Sequence, residues 1–221
     1  MANYFLTWAL ILIVGTIILY FIVKNVLRVV VTFLFIVFLF VAITMTLTYS
    51  DIQSLRSDIQ DKEIVLAVQN DGEYLFALVQ YTENEEKKVK QVSMSEGDVA
   101  AAITDEKYKP ILASGNYYKL ILLDKSVFAS LPSEIISDNE TKTTDELFAI
   151  LSNRALSFDD RADAFSTLLS ALEEQEGMFY VLQKFQDGRV VIYPKTMFFR
   201  VLESLPISFV EKFIPDSFST S

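Results

Sequence analysis

The sequence predicts an α+β protein in two parts: an N-terminal transmembrane helical hairpin, then a small acidic α+β domain with two β-hairpins and several short helices. Three observations carry this reading. Two long uncharged apolar runs, residues 4–23 and 29–47, fill the start of the chain. Only Lys24 and Arg28 carry charge in the first fifty residues. Beyond residue 50, period-2 and period-3.6 apolar patterns follow one another without regular βαβ alternation. The predicted divisions are a hairpin over 1–48, a helical stalk over 49–62 and a globular domain over 63–221.

A helix rises 1.5 Å per residue, so about 20 residues cross a hydrocarbon layer of roughly 30 Å. One continuous helix over 4–47 would be about twice too long, a mismatch that tilt does not absorb. Lys24 and Arg28 would each cost roughly 2.5–3.5 kcal/mol at a bilayer centre and belong at an interface. They act as the topology determinants, with the turn near Lys24-Asn25. The alternative is one crossing at 29–47 with 4–23 held elsewhere. The start lacks the basic residues and the cleavage site of a secretory signal. Tyr4, Trp8, Tyr20 and Tyr49 stand near the span ends, as interfacial aromatics do. Cations in the short turn favour the cytoplasm, which places the C-terminal domain on the extracytoplasmic side. Arg56 and Lys62 pull the other way.

Residues 51–62, DIQSLRSDIQDK, set Ile52, Leu55 and Ile59 on one helical stripe and form the stalk. The first β-hairpin spans 63–81, two β-rich apolar runs around Asn70-Asp71-Gly72. Near-continuous apolarity over 64–68 and 75–79 predicts strands covered on both faces. Residues 83–90, ENEEKKVK, read as a solvated loop. Ser95-Glu96-Gly97-Asp98 opens a short helix with a capping-box pattern. Residues 116–124 are a third strand, and the polar stretch 133–144 is an exposed insertion. Thr143-Thr144-Asp145-Glu146 caps a helix that turns Leu147, Ile150 and Leu151 inward. Ser157-Phe158-Asp159-Asp160 caps the next, with Phe158, Ala162, Phe165, Leu168, Leu169 and Leu172 at helical spacing and Gly177 as its stop. A second β-hairpin is expected over 178–193 around Asp187-Gly188. Prolines 194, 206 and 215 bracket two short helices.

Composition limits the chemistry. Residues 51–221 hold all 29 acids and 17 of the 19 bases, a balance of −12. That excludes a nucleic-acid partner, which needs a basic surface. The chain contains no Cys and no His, which removes disulfides, Cys/His zinc sites and histidine-based triads. The six glycines are dispersed, so no phosphate-cradling loop exists. Asp159, Asp160 and Asp163 admit a carboxylate-bound cation, but a first helical turn favours Asp anyway. Asp138-Asn139-Glu140 with Asp145-Glu146 lacks the order of a calcium loop, and Lys125-Ser126 is an isolated pair. Asn139-Glu140-Thr141 is a glycosylation sequon that matters only outside the cell. No catalytic, metal or cofactor site emerges.

The tail offers the candidate interaction surface: Phe198, Phe199, Leu202, Leu205, Phe209 and Phe213, with Lys195, Arg200 and Lys212 beside them. Such a stripe covers a sheet, lies at a bilayer interface or fills a partner's groove. The expected function is a membrane-anchored interaction or accessory protein, its partners the lipid bilayer and a protein in or at the membrane. The alternatives are a small subunit of a larger membrane complex and a membrane-tethered enzyme using carboxylate, Ser or Lys chemistry.

Overall fold

The computed structural model describes residues 29–40, 42, 43, 46, 62–84, 86–137 and 140–205. The chain divides into two compact units, Met1–Tyr49 and Ser50–Ser221. In the first, 29–40, 42, 43 and 46 are helical. The expected span at 4–23, the determinants Lys24 and Arg28, and the stalk up to residue 61 lie outside the described residues.

The second unit is an α+β domain. Strands β1 (Ile64–Asn70) and β2 (Glu73–Glu83) form the predicted hairpin, with Asn70 opposite Glu73. The turn needs two left-handed residues, and Asp71 (φ 48°) and Gly72 (φ 86°) supply them. β2 continues into β3 (Glu86–Lys90), antiparallel to it. The charge run read as a loop is therefore an edge strand. Lys87, Lys88 and Lys90 pair through the backbone while their ammonium groups stay near water, which blunts an edge against further pairing.

Helix α1 (Glu96–Thr104) follows; the Ser95 hydroxyl accepts from the Asp98 amide as the capping pattern predicts. Helix α2 (Lys109–Gly115) ends on Asn116 in the left-handed conformation. β4 (Lys119–Asp124) then lies parallel to β1. A 3-10 turn, Lys125–Phe128, leads to the hairpin β5 (Glu134–Ser137) and β6 (Glu140–Thr143). The stretch 133–144, expected as an exposed insertion, folds as a two-stranded ribbon. Helix α3 (Thr144–Ser152) carries a complete capping box: Thr143 Oγ1 accepts from the Glu146 amide and Glu146 accepts from the Thr143 amide.

Helix α4 runs from Phe158 to Gln186 and continues through Gly177. A mid-helix glycine costs about 1 kcal/mol. Burial of Phe185 and partial burial of Tyr180, Val181 and Leu182 beyond it offset that cost. The second expected hairpin is therefore not formed. Asp187-Gly188 ends the helix instead: the Gly188 amide donates to Phe185 O and the Arg189 amide to Lys184 O, with Gly188 at φ 72°. This is a Schellman stop, which asks for the same glycine as a hairpin turn. β7 (Val190–Tyr193) pairs antiparallel with β4, and helix α5 (Met197–Ser204) follows the cis Tyr193-Pro194 bond.

The five-stranded mixed sheet has the order β3-β2-β1-β4-β7. Val65, Ala67, Ala77, Val79, Leu120 and Leu122 face α1 and α2, where Val99, Ala102, Ile103 and Ile111 meet them. Val68, Phe76, Leu78, Leu123, Val190 and Ile192 face α3, α4 and α5. Layers on both faces explain the near-continuous apolar strands, since alternate residues are buried in opposite directions.

Candidate functional site

The tail stripe divides. Phe199 and Leu202 are buried, and the Phe199 ring packs 5.5 Å from that of Phe185 on α4. Phe198 and Leu205 are half-buried against the same core. Gln186 on α4 donates to the carbonyls of Leu202 and Leu205 at 2.7 and 2.9 Å, tying the helix end in place. Over 197–205 the stripe covers the sheet; Phe209 and Phe213 lie outside the described residues.

Among the described residues, the most extended exposed apolar surface lies elsewhere, on helix 29–40. Its sequence, VVVTFLFIVFLF, holds no charge, and every described side chain is exposed. Exposure of its large apolar residues runs from 42% at Val37 to 71% at Phe38. Thr46 donates to its own backbone at Ala42 O, 2.9 Å away, so its hydroxyl needs no outside partner. Among the described residues no helix is long and apolar enough to cross a membrane.

Among the described residues, the domain carries a larger and a smaller depression. The larger, about 880 Å³, is a groove between the β5–β6 ribbon and helices α3 and α4. Its floor is Ile135, Leu147, Ile150, Ala164 and Ala171. On its rim Ile136 is 79% exposed and Leu156 is also exposed. Asp160, Asp163 and Glu174 run along the α4 side, with Lys142 opposite on β6. The ribbon formed by the expected insertion is what builds this groove.

The smaller depression, about 240 Å³, lies where β2, α1 and the start of α4 meet. At its base is Arg161, 4% exposed. Its Nε donates to Leu151 O at 3.0 Å and one terminal amine to Leu75 O at 2.8 Å, while the other lies 2.6 Å from a Glu96 carboxylate oxygen. The guanidinium stacks 4.7 Å from the Phe76 ring centre. One side chain thus joins α4 to β2, α3 and α1. Burial, and next the Glu96 charge, push the Tyr74 phenol well above its ordinary range, so it stays protonated in neutral solution. Arg161 has a sequence signal: a charge three residues after Phe158 and one before Ala162, on the inward stripe. The tertiary partners Glu96 and Tyr74 have none.

The remaining candidates are structural. The Asp160 amide and carboxylate both engage Ser157 Oγ, as a helix start requires, and Asp163 O accepts from Thr167. Among the described residues no cluster of acids could hold a metal ion. Lys125 points to Asp145 at 3.9 Å and over the Phe148 ring, while Ser126 Oγ donates to Asp124, so Lys125 and Ser126 are not brought together. Buried Asp124 caps the 3-10 turn, and buried Lys119 donates to Pro194 O at 3.0 Å.

Residues 28–62 match the family model of the nematode cuticle collagen N-terminal domain. The match covers 35 of 221 residues and speaks for that stretch alone. A collagen triple helix requires glycine at every third position, and this chain has six glycines in all. No curated protein and no solved structure matches the chain.

Proposed function

We propose that the chain is a membrane-anchored interaction protein. In this reading a helical hairpin over 4–23 and 29–47 holds the acidic α+β domain at the extracytoplasmic surface of a membrane, where the domain binds a protein partner. The observation that carries it is helix 29–40, whose apolar side chains are exposed on every side. A helix apolar all round has its stable place in lipid or inside a larger assembly, because each buried CH₂ is worth about 0.8 kcal/mol. The second run, 4–23, has the length and composition to return across the same layer, with Lys24 and Arg28 held at the interface. The likeness of 28–62 to a domain of cuticle collagens, proteins of the cell exterior, supports an extracytoplasmic domain.

The groove between the ribbon and α4 is the surface best suited to a partner. Its apolar floor and exposed Ile136 suit an apolar ridge, and Asp160, Asp163 and Glu174 suit Lys or Arg flanking that ridge. The sidedness is tested by single cysteines at Asn25 and Ser137 in a chain with no native cysteine, probed with a membrane-impermeant maleimide on intact cells. Labelling at 137 and protection at 25 is expected. The reverse pattern would place the domain in the cytoplasm, and labelling at both would contradict the hairpin. For the groove, Ile136→Asp with Leu156→Asp is expected to abolish recovery of the partner from mild detergent. Undiminished recovery would place the contact elsewhere.

A further inference from the structure

We infer that the 240 Å³ cleft above Arg161 is a binding site for a carboxylate carried on a short apolar body, presented either by a free acid or by the C-terminal end of a polypeptide. The inference stands on the cleft alone and is independent of membrane anchoring.

The size sets the scale of the ligand. Liquid water takes about 30 Å³ per molecule, so the cleft holds on the order of eight heavy atoms. Met94 and Phe158 give a short hydrocarbon body an apolar patch to rest on, within a lining that Tyr74, Gln91, Glu96, Arg154 and Arg161 make mainly polar. The charge sets the headgroup. Arg154 and Arg161 against the single acid Glu96 leave one surplus positive charge in the cleft, within a region of the chain that carries −12 overall. One surplus charge matches a monoanion. A phosphate would bring nearly twice that charge into the same partly apolar space.

The two arginines have different parts. Arg161 is committed to Leu151, Leu75 and Glu96, which holds it rigid and leaves two of its five N–H groups over. Arg154, in the loop between α3 and α4, is exposed at the cleft and makes no ion pair among the described residues, although the chain holds 29 acids. It also stands close enough to Tyr74 to oppose slightly the rise of its phenol. The Tyr74 hydroxyl stays protonated and so remains a donor, and the Gln91 amide adds another at the wall. Arginine favours planar carboxylate recognition, because its fork matches two oxygens at once.

The test is titration calorimetry on the full chain in detergent micelles, with isovalerate and isovaleramide, which share a body and differ in charge. Isovalerate is expected to bind saturably with a dissociation constant on the order of 1 mM or tighter, and the amide at least about tenfold more weakly. Arg154→Gln is expected to weaken isovalerate at least about tenfold. It should leave the circular dichroism and melting temperature unchanged, since Arg154 supports nothing in the fold. Ala-Ala-Leu and its C-terminal amide separate the two sources. A free-acid peptide that binds tighter than isovalerate assigns the site to chain ends, and a weaker one assigns it to small acids. Equal binding of acid and amide, no saturation by any of the probes, an unaffected Arg154→Gln variant, or displacement by inorganic phosphate at equal concentration would each overturn the inference.

Discussion

Residues 29–40 and helix α4 are both helical and both rich in phenylalanine and leucine, and their apolar side chains meet opposite fates. On α4, Phe165 and Leu168 are fully buried while Asp159, Asp163 and Glu173 face water. On 29–40 no charged residue interrupts the apolar surface, and Phe33, Phe35 and Phe38 are all more than 60% exposed. A helix with one apolar stripe solves its solvation within the chain, against β2 and the 3-10 turn. A helix apolar on every side needs an apolar medium that this chain's described residues do not supply.

Breaking that contrast starts with matched substitutions. Phe165→Ala deletes a ring that meets Phe76 edge-on at 6.0 Å, and it should cost the domain about 3–5 kcal/mol, read as a lower urea midpoint. Phe38→Ala should leave the same midpoint unmoved, since its side chain is 71% exposed. A loss of similar size is expected for Arg161→Ala: it strands the Leu75 and Leu151 carbonyls at about 1–3 kcal/mol each, while Glu96, its side chain 35% exposed, turns to water.

Smaller effects sharpen the picture of how α4 ends. Gly188→Ala should destabilise by about 1 kcal/mol through backbone strain alone, because φ is 72° and nothing stands within 4 Å of the added methyl. The smallest effect is a pH dependence. The Tyr74 phenol is raised in the folded state, so its contribution is intact below the unfolded value near 10 and is lost as pH rises past it. Tyr74→Phe should therefore lose less melting temperature than the parent between about pH 10 and 11.

Much of the domain was legible from local patterns. Asn70-Asp71-Gly72 demands left-handed residues wherever it lies, and Ser95, Thr143 and Ser157 announce helix starts by their own side chains. The errors share a cause: one local signal serves two structures. Asp187-Gly188 suits a hairpin turn or a Schellman stop, and only the packing of Tyr180 and Phe185 selects the stop. Residues 86–90 look solvated and are, but their backbone groups find β2. The groove and the Arg161 cleft were hidden because each joins elements far apart in sequence, with Leu75 and Arg161 meeting across 86 positions.

The central claim is that the apolar run at 29–47 resides in a bilayer together with 4–23. Alkaline carbonate extraction of membranes containing the full chain tests it most directly, because peripheral contacts are released and spanning helices are not. The chain is expected to stay in the membrane pellet and to enter solution only with detergent. Recovery of the chain in the carbonate supernatant without detergent would contradict the account.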